Sequence, residues 1–267
     1  MLTLTTFDEP IPQTFAQWIN RGHHLQQEGQ YADALSAYEQ AILCNPEDAS
    51  AYEYLGHVCY QLGKYEFALA GYQRAVELNP TSLLLHCYKG EVLEHLHRSE
   101  EALSVYEQAL VLAPQDAALY ALKAFILTDL QREREALAAY AQALLIRPDY
   151  AAVYHNLGLL LADMQHHEQA IRAYQKAIEL QPDEVLFYRN FVALLESLGR
   201  WQEAVHLQLR AEARGLAWKE TRNPETPDPE EHALLWENLA TLHYPMPHLL
   251  RDMEEESRDV ISRSHQP

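Results

Sequence analysis

Glycine, cysteine and basic residues are all scarce in this chain of 267 residues. Only nine glycines interrupt a sequence rich in Ala, Leu, Gln and Glu, which favours helix. Three cysteines without a CxxC pair predict a reducing, cytoplasmic compartment rather than a disulfide framework. No apolar run of about 20 residues is present, so we expect no membrane insertion. The acidic N-terminus lacks the basic region of a secretion signal, and we expect none.

Positive charge is also in short supply. The chain carries 20 Lys and Arg against 39 Asp and Glu, a formal net charge of −19. Nucleic-acid binding requires a basic patch, and no Lys/Arg cluster occurs, so nucleic acid is excluded as a partner. A Gly-rich phosphate loop, a GxSxG elbow and an HExxH motif are missing as well. We therefore expect no enzyme activity, no cofactor and no metal. The acidity either serves solubility or accommodates a basic partner.

What the sequence does contain is a repeat. Its most regular feature is a proline that recurs every 34 residues, at Pro46, Pro80, Pro114, Pro148 and Pro182. A tyrosine keeps the same period, at Tyr38, Tyr72, Tyr106, Tyr140 and Tyr174. Two rows of alanines keep it too; the first begins at Ala34 and the second at Ala41. A fixed period of this length is typical of a solenoid of stacked helical units.

The repeated pattern resembles the tetratricopeptide repeat family. The second copy shows it most fully, with Tyr52, Leu55, Gly56, Ala68, Tyr72, Ala75 and Pro80. The resemblance implies an all-α fold, a right-handed superhelical solenoid of about six helix pairs with a C-terminal capping helix. The implied repeats are 15–48, 49–82, 83–116, 117–150, 151–184 and 185–218. Residues 1–14 form an N-terminal extension.

Small residues indicate how the helices pack. We expect one row of glycines to face the first alanine row, with the tyrosines in wider gaps; the row is Gly22, Gly56, Gly90 and Gly158. Each proline should end the second helix of its repeat. Glycine marks the turn between the two helices in three repeats, at Gly29, Gly63 and Gly199. The other three repeats have His97, Gln131 and Gln165 there.

The chain changes character after the repeats. Residues 219–231 form a linker rich in proline and acid, and residues 232–267 a capping helix and tail. Asp228 is a suitable N-cap, followed by Pro229 and two glutamates. Leu235, Trp236, Leu239 and Leu242 form one apolar face. This helix either caps the last repeat, occupies the groove or binds a partner.

In the family, partner peptides lie in a groove lined by the first helix of each repeat. The resemblance assigns to this groove His23, Glu53, Tyr54, His57, Tyr60, Tyr88, Glu91, Glu94, Phe125, Asp129, His155, Asn156, Arg189 and Asn190. Asn20, Asn156 and Asn190 share one repeat position, and such amides can pair with a peptide backbone. The aromatic and acidic members favour a basic or aromatic-rich partner.

Two other functions are weighed against this one. A carboxylate clamp is excluded, because the matching positions carry no Lys or Arg; they are Ile19, His23, Tyr54, Leu84 and Tyr88. The leading hypothesis is a non-catalytic interaction scaffold or assembly factor that binds a protein or peptide partner. The first alternative is a self-associating or tail-regulated structural subunit, which leaves a homo-oligomer open. The second is a metal-dependent or enzyme-accessory module that uses His23, His57 and Glu91.

Overall fold

The computed structural model describes residues 14–216, and every regular element in that range is an α-helix. Their bounds are α1 Phe15–Gln27, α2 Tyr31–Cys44, α3 Ala49–Gln61, α4 Tyr65–Leu78, α5 Leu83–His95, α6 Ser99–Leu112, α7 Ala117–Asp129, α8 Glu133–Ile146, α9 Ala151–Asp163, α10 His167–Leu180, α11 Val185–Ser197 and α12 Trp201–Ala213. Each predicted repeat contains one pair of them, here called helix A and helix B. The expectation of an all-α fold is confirmed.

The helices belong to two compact units. The first unit ends at Ala113 and contains α1–α6; the second begins at Pro114 and contains α7–α12. Within each unit, helix A contacts helix B of its own repeat, and helix B contacts helix A of the next. Successive pairs therefore enclose a continuous apolar core. In the first unit this core includes Ile19, Tyr38 and Val58, and in the second Tyr174, Phe187 and Phe191.

Helix A begins at a recurring capping position. A side chain there accepts a backbone N–H hydrogen bond from the first turn at Thr14, Asp48, Ser82, Asp116 and Glu184. Tyr150 takes this position before α9 and makes no such bond. Its ring instead lies against Arg147, whose guanidinium carbon is 3.2 Å from the ring centroid. The repeat thus tolerates the loss of a cap where a cation and a ring pack together.

The turn from helix A to helix B requires a left-handed backbone in every copy. The glycines expected there have φ of 73° at Gly29, 68° at Gly63 and 70° at Gly199. The residues that replace glycine adopt the same conformation, with φ of 55° at His97, 57° at Gln131 and 63° at Gln165. Side chains normally avoid this region. The stacking of the helices therefore fixes the turn even where the residue does not favour it.

Each of these glycines of helix A has a tyrosine ring as its nearest neighbour, whereas we expected the tyrosines to fill wider gaps. A Cβ built on Gly56 would lie 2.8 Å from Cε1 of Tyr72, and one on Gly158 would lie 3.0 Å from Cε1 of Tyr174. Gly22 and Gly90 meet Tyr38 and Tyr106 in the same way. The ring occupies the space that a Cβ would take. At these four glycines the ring lies this close because the backbone carries no side chain there.

Several predicted segments lie beyond the described residues. These are residues 1–13 of the N-terminal extension, the linker at 219–231 and the capping helix and tail at 232–267. Between residues 14 and 216, no helix has the length and apolar character needed to cross a bilayer.

Candidate functional site: polar and aromatic faces of the A helices

The predicted binding residues all lie on A helices and fall into both units. Helices α1, α3 and α5 of the first unit carry His23, Glu53, Tyr54, His57, Tyr60, Tyr88, Glu91 and Glu94. Helices α7, α9 and α11 of the second unit carry Phe125, Asp129, His155, Asn156, Arg189 and Asn190. The structure therefore places all of the predicted binding residues on A helices, and burial decides which of them reach a surface.

Four of these side chains are buried, which corrects the expectation that they line an open surface. They are His57, Tyr88, His155 and Asn156. In the first unit, the His57 ring meets the Tyr88 ring edge-on, with centroids 4.5 Å apart, and the Tyr72 ring at 5.4 Å. Helices α3, α5, α9 and α11 each contact two B helices, that of their own repeat and that of the repeat before. A ring that points along the stack is therefore enclosed between repeats.

The same stack of one histidine and two tyrosines occurs twice in the first unit. His23 meets Tyr54 edge-on at 4.5 Å, and Tyr38 lies 5.6 Å from Tyr54. One repeat later, His57, Tyr88 and Tyr72 hold equivalent positions. In the first copy, His23 and Tyr54 are only half-buried. Part of the first stack is thus accessible at the surface, whereas the second stack is buried in the core.

Burial keeps His57 uncharged. It lowers the pKa of His57 to about 3. The proposed set of His23, His57 and Glu91 would need a histidine with an exposed lone pair, and His57 offers none at a surface. Within residues 14–216, no cluster of three or more His, Cys, Asp or Glu is suited to hold a metal ion.

A group of carboxylates and phenols lies on α3 and α5. The hydroxyl of Tyr60 donates to Oε1 of Glu91 at 2.6 Å. It also accepts from Nε2 of His95, 2.8 Å away. The ring of Tyr65 stacks on His95 with centroids 4.8 Å apart and planes 5° from parallel. Four side chains from three helices thus hold one another in place at a half-buried surface.

Negative charge is concentrated around these phenols. Burial raises the pKa of Tyr88 well above its usual range, and the carboxylates of Glu53 and Glu91 raise it further. The pKa of Tyr72 is raised by burial first, with Glu91 and Glu53 again contributing. Burial also raises the pKa of Glu53 itself. Both glutamates therefore act on the same two rings, which places them on one side of α3 and α5. We call Glu53, Tyr60, Glu91, Glu94 and His95 the acidic face.

A further row of hydrogen bonds was missed by sequence reasoning. The hydroxyl of Tyr38 donates to Oε1 of Gln26 at 3.1 Å, and Nε2 of Gln26 donates to Gln61 at 3.1 Å. Tyr106 donates to Oε1 of Glu94 in the same geometry. Gln26 and Glu94 occupy one repeat position, twelve residues before the tyrosine that binds each of them. Glu94 was among the predicted residues and Gln26 was not; the constant spacing to the tyrosine row was the signal that could have found Gln26.

The second unit contains a hydrogen-bond network that joins one buried imidazole to two side-chain amides. Nδ1 of His155 lies 3.0 Å from Oδ1 of Asn156, and Nε2 lies 2.9 Å from Nδ2 of Asn190. These contacts fit one neutral tautomer, in which Nδ1–H donates to Asn156 and Nε2 accepts from Asn190. Burial lowers the pKa of His155 to about 4, and its bond to Asn156 opposes that shift weakly.

These hydrogen bonds among His155, Asn156 and Asn190 change the interpretation of the two asparagines as peptide-binding residues. Asn156 is buried, and its Nδ2 has no hydrogen-bond partner among the described residues. Asn190 is half-buried and is tied to His155 across one repeat. The ring of Phe187 stacks on His155 at 4.9 Å. Asn156 and Asn190 thus link two neighbouring repeats through His155; Asn190 reaches a surface and Asn156 does not, and Asn20 at the same position of repeat one is exposed.

The remaining predicted residues of the second unit are more accessible. On α7, Phe125 is half-buried and Asp129 is exposed, one helical turn apart. On α11, Arg189 is half-buried next to Asn190. These side chains remain predicted binding residues.

Repeated pairs of A and B helices with polar faces on the A helices define a helical-repeat protein. Models of the tetratricopeptide repeat match residues 19–83, 68–117, 117–150 and 151–184. The chain belongs to the tetratricopeptide repeat family. This family supplies protein-interaction scaffolds, which are in general not enzymes. No curated protein matches the chain.

Several solved structures share the fold. MamA (41-end) from Desulfovibrio magneticus RS-1 is 21% identical, with a TM-score of 0.59 over 65% of this chain and 98% of that one. YrrB, described as a tetratricopeptide repeat protein with an unusual peptide-binding site, is 25% identical, with a TM-score of 0.56 over 65% and 90%. TTC0263 from Thermus thermophilus is 25% identical, with a TM-score of 0.52 over 68% and 99%.

Proposed function

We propose that this protein is a non-catalytic scaffold or assembly factor that binds a basic segment of a partner protein on the acidic face of its first unit. One observation carries the proposal. The hydroxyl of Tyr60 on α3 holds the carboxylate of Glu91 on α5 at 2.6 Å, and Glu94 follows one turn later on α5, so two carboxylates of one helix are gathered beside a half-buried ring. A Lys or Arg side chain that reaches this region would find the carboxylates of Glu91 and Glu94 and the ring of Tyr60.

Tyrosine hydroxyls orient the carboxylates of this face. Tyr60 donates to Glu91, and Tyr106 donates to Glu94. A carboxylate that accepts such a bond remains an acceptor with further lone pairs, whereas Lys and Arg are donors only. Because the side chains are already fixed, binding orders few rotamers and costs less entropy.

The charge of the whole chain also favours a basic partner. A formal net charge of −19 attracts cationic segments over a distance and raises the rate of encounter at low salt. Membership of the tetratricopeptide repeat family and the description of YrrB as a peptide-binding protein support a peptide as the ligand class. The second unit is treated by itself: we propose that Arg189, Asn190, Phe125 and Asp129 offer polar and aromatic contacts of their own to a partner segment.

The test uses two labelled peptides of equal length. One alternates Lys with Tyr, and the other replaces each Lys by Glu. Fluorescence anisotropy is measured on the full chain at two salt concentrations. The basic peptide should bind and weaken as salt rises, and the acidic peptide should not bind. Equal binding of both peptides, or of neither, would overturn the proposal.

Matched variants locate the site. Glu91→Gln keeps the shape of the side chain and removes its charge, so affinity for the basic peptide should fall about three- to fivefold. Glu39→Gln is the control, because Glu39 is an exposed glutamate on helix B of the same unit. A similar loss in both variants would indicate attraction by net charge alone and would refute the assignment to the acidic face.

A further inference from the structure

Helix α9 begins without the side-chain acceptor that the other A helices of residues 14–216 have at their first turn. Its capping position holds Tyr150, whereas three of the other A helices have a carboxylate there, from Asp48, Asp116 and Glu184. Each of those carboxylates accepts from the backbone N–H two residues further along the chain. In α9 that N–H belongs to the buried Ala152, and the capping residue offers it no acceptor. The start of α9 therefore lacks a negative charge that its counterparts contain.

A positive charge lies beside this capping position. Arg147 precedes Tyr150 by three residues, and its guanidinium carbon is 3.2 Å from the centre of the tyrosine ring. The corresponding residues of the other repeats are uncharged; they are Asn45, Asn79, Ala113, Gln181 and Gly215. The fourth repeat thus differs from its two neighbours by the loss of an anion and the gain of a cation at one turn.

The donors at this turn are buried without acceptors among residues 14–216. Nε and Nη2 of Arg147 are out of contact with solvent and make no hydrogen bond, and neither does the hydroxyl of Tyr150, a residue that is 1% exposed. Other arginines of the fold differ, because each binds a glutamate three residues later; they are Arg98, Arg132 and Arg200. Buried donors in folded proteins are nearly always paired, so this group indicates an acceptor that comes from outside these residues.

Both side chains act as donors at neutral pH. Burial raises the pKa of Tyr150 to about 12, and the adjacent charge of Arg147 opposes this shift. The hydroxyl therefore keeps its proton, and a guanidinium has no lone pair to accept it. Asp116 also acts on the pKa of Tyr150, but its carboxylate already accepts from the N–H groups of Ala118 and Leu119, at 2.8 and 3.1 Å. The turn thus presents donors and needs an acceptor.

We propose that Arg147, the hydroxyl of Tyr150 and the N-terminus of α9 bind an oxyanion, which is a phosphate or a carboxylate group. An oxyanion has several acceptor oxygens, and two of them match the parallel donors of a guanidinium. The aligned peptide dipoles of a 13-residue helix favour negative charge at its N-terminus. Arg147 as a whole is half-buried, so one side of the site is open to solvent.

This site goes beyond the proposed function. It lies in the second unit and takes a negative ligand, whereas the acidic face lies in the first unit and takes a positive one. The two proposals are tested with different probes, so failure of one leaves the other standing.

Nuclear magnetic resonance of the full chain tests the site with two probes. Sodium phosphate and sodium acetate are titrated separately at neutral pH, with sodium chloride at matched ionic strength as the reference. The backbone N–H signal of Ala152 and the Nε–H signal of Arg147 are followed. Phosphate or acetate should shift both signals to saturation, and chloride should not. The probe that saturates at the lower concentration identifies the oxyanion as phosphate or carboxylate.

Matched variants, followed at the signal of Ala152, separate the site from the charge of the chain. Arg147→Gln should weaken binding of the better probe about tenfold or more, because charge-assisted hydrogen bonds are lost. Arg172→Gln is the control, because it removes the same charge from an exposed arginine of α10. Tyr150→Phe removes only the hydroxyl and should weaken binding about threefold. Circular dichroism checks that each variant is folded; if Arg147→Gln is not, Tyr150→Phe decides.

Two kinds of result would overturn the inference. The first is the absence of a saturable shift with either probe, or a shift of the same size with chloride. The second is binding that is unchanged in Arg147→Gln and Tyr150→Phe, or that falls as much in Arg172→Gln as in Arg147→Gln. Such binding would show that the anion is held elsewhere or is attracted by net charge alone.

Discussion

Gly56 of α3 lies directly against the ring of Tyr72 in α4, so that a Cβ on Gly56 would come within 2.8 Å of Cε1. Repeat six has Val192 and Gln208 at the two equivalent positions, with Val192 buried and Gln208 half-buried. Repeat four has Ala124 and Tyr140 at these positions, and both are buried. The two positions share one volume: a methyl group is compatible with the ring, whereas the branched Val192 is combined with a glutamine in place of the ring.

The first prediction tests this shared volume. Gly56→Val should lower the free energy of unfolding by about 2–3 kcal/mol, because it overpacks the contact with Tyr72. Combining it with Tyr72→Gln should cost about 1 kcal/mol less than the sum of the two single changes. Urea unfolding monitored by circular dichroism measures all three. Gly56→Val with Tyr140→Gln, a tyrosine of another repeat, should be additive; additivity in both pairs would contradict the idea.

The second prediction concerns the left-handed turns. Gln131 has φ of 57° at a position where Gly63 has φ of 68°. Gln131→Gly should raise the free energy of unfolding by about 0.5–1 kcal/mol, because glycine adopts this conformation without strain. Gly63→Ala should lower it by about 1 kcal/mol. The midpoint of urea unfolding checks both signs, and a loss of stability in Gln131→Gly would show that the glutamine side chain makes a contact that outweighs the strain.

The third prediction is a loss of stability in mild acid. An unfolded histidine titrates near its ordinary pKa of 6.5, whereas burial lowers the pKa of His155 to about 4 and that of His57 to about 3. Between these values the unfolded state binds more protons, so stability falls as pH falls below 6.5. By pH 5 the loss should be about 2 kcal/mol for each histidine.

Variants separate this effect from the titration of carboxylates. His155→Gln should reduce the difference in unfolding free energy between pH 7 and pH 5 by about 2 kcal/mol. An unaltered pH dependence in His155→Gln would mean that His155 is not held neutral by burial.

The fourth prediction concerns the acidic face. Tyr60→Phe removes the hydroxyl that donates to Glu91 and accepts from His95. The free energy of unfolding should fall by about 1–2 kcal/mol, because a charged acceptor loses its donor. Affinity for the basic peptide should fall as well, because the carboxylate of Glu91 is no longer held in place.

Tyr120→Phe is the matched control for this change. Tyr120 is half-buried, and its hydroxyl makes no hydrogen bond within residues 14–216. It should alter neither quantity by more than about 0.5 kcal/mol. Loss of stability without loss of affinity in Tyr60→Phe would show that the bond to Glu91 supports the fold but not binding.

Much of the fold followed from the sequence. A 34-residue period in Pro, Tyr and Ala placed every helix of residues 14–216 in its pair and located the left-handed turns, including those without glycine. These features are local: a proline ends a helix and a fixed backbone angle reverses the chain, whatever lies around them. The same period identified the A helices as the carriers of polar and aromatic residues.

Which side chains meet, and which reach a surface, was decided only by tertiary structure. The sequence could not show that the ring of Tyr72 lies directly against Gly56, since the period fixes the place of a residue in its repeat and not the side chains that touch it. It could not show that His57 and His155 are enclosed while Glu91 stays half-exposed, because burial depends on the neighbouring repeats. The period determines the position of a residue along the stack, and the packing of adjacent helices determines the direction in which its side chain is free to act.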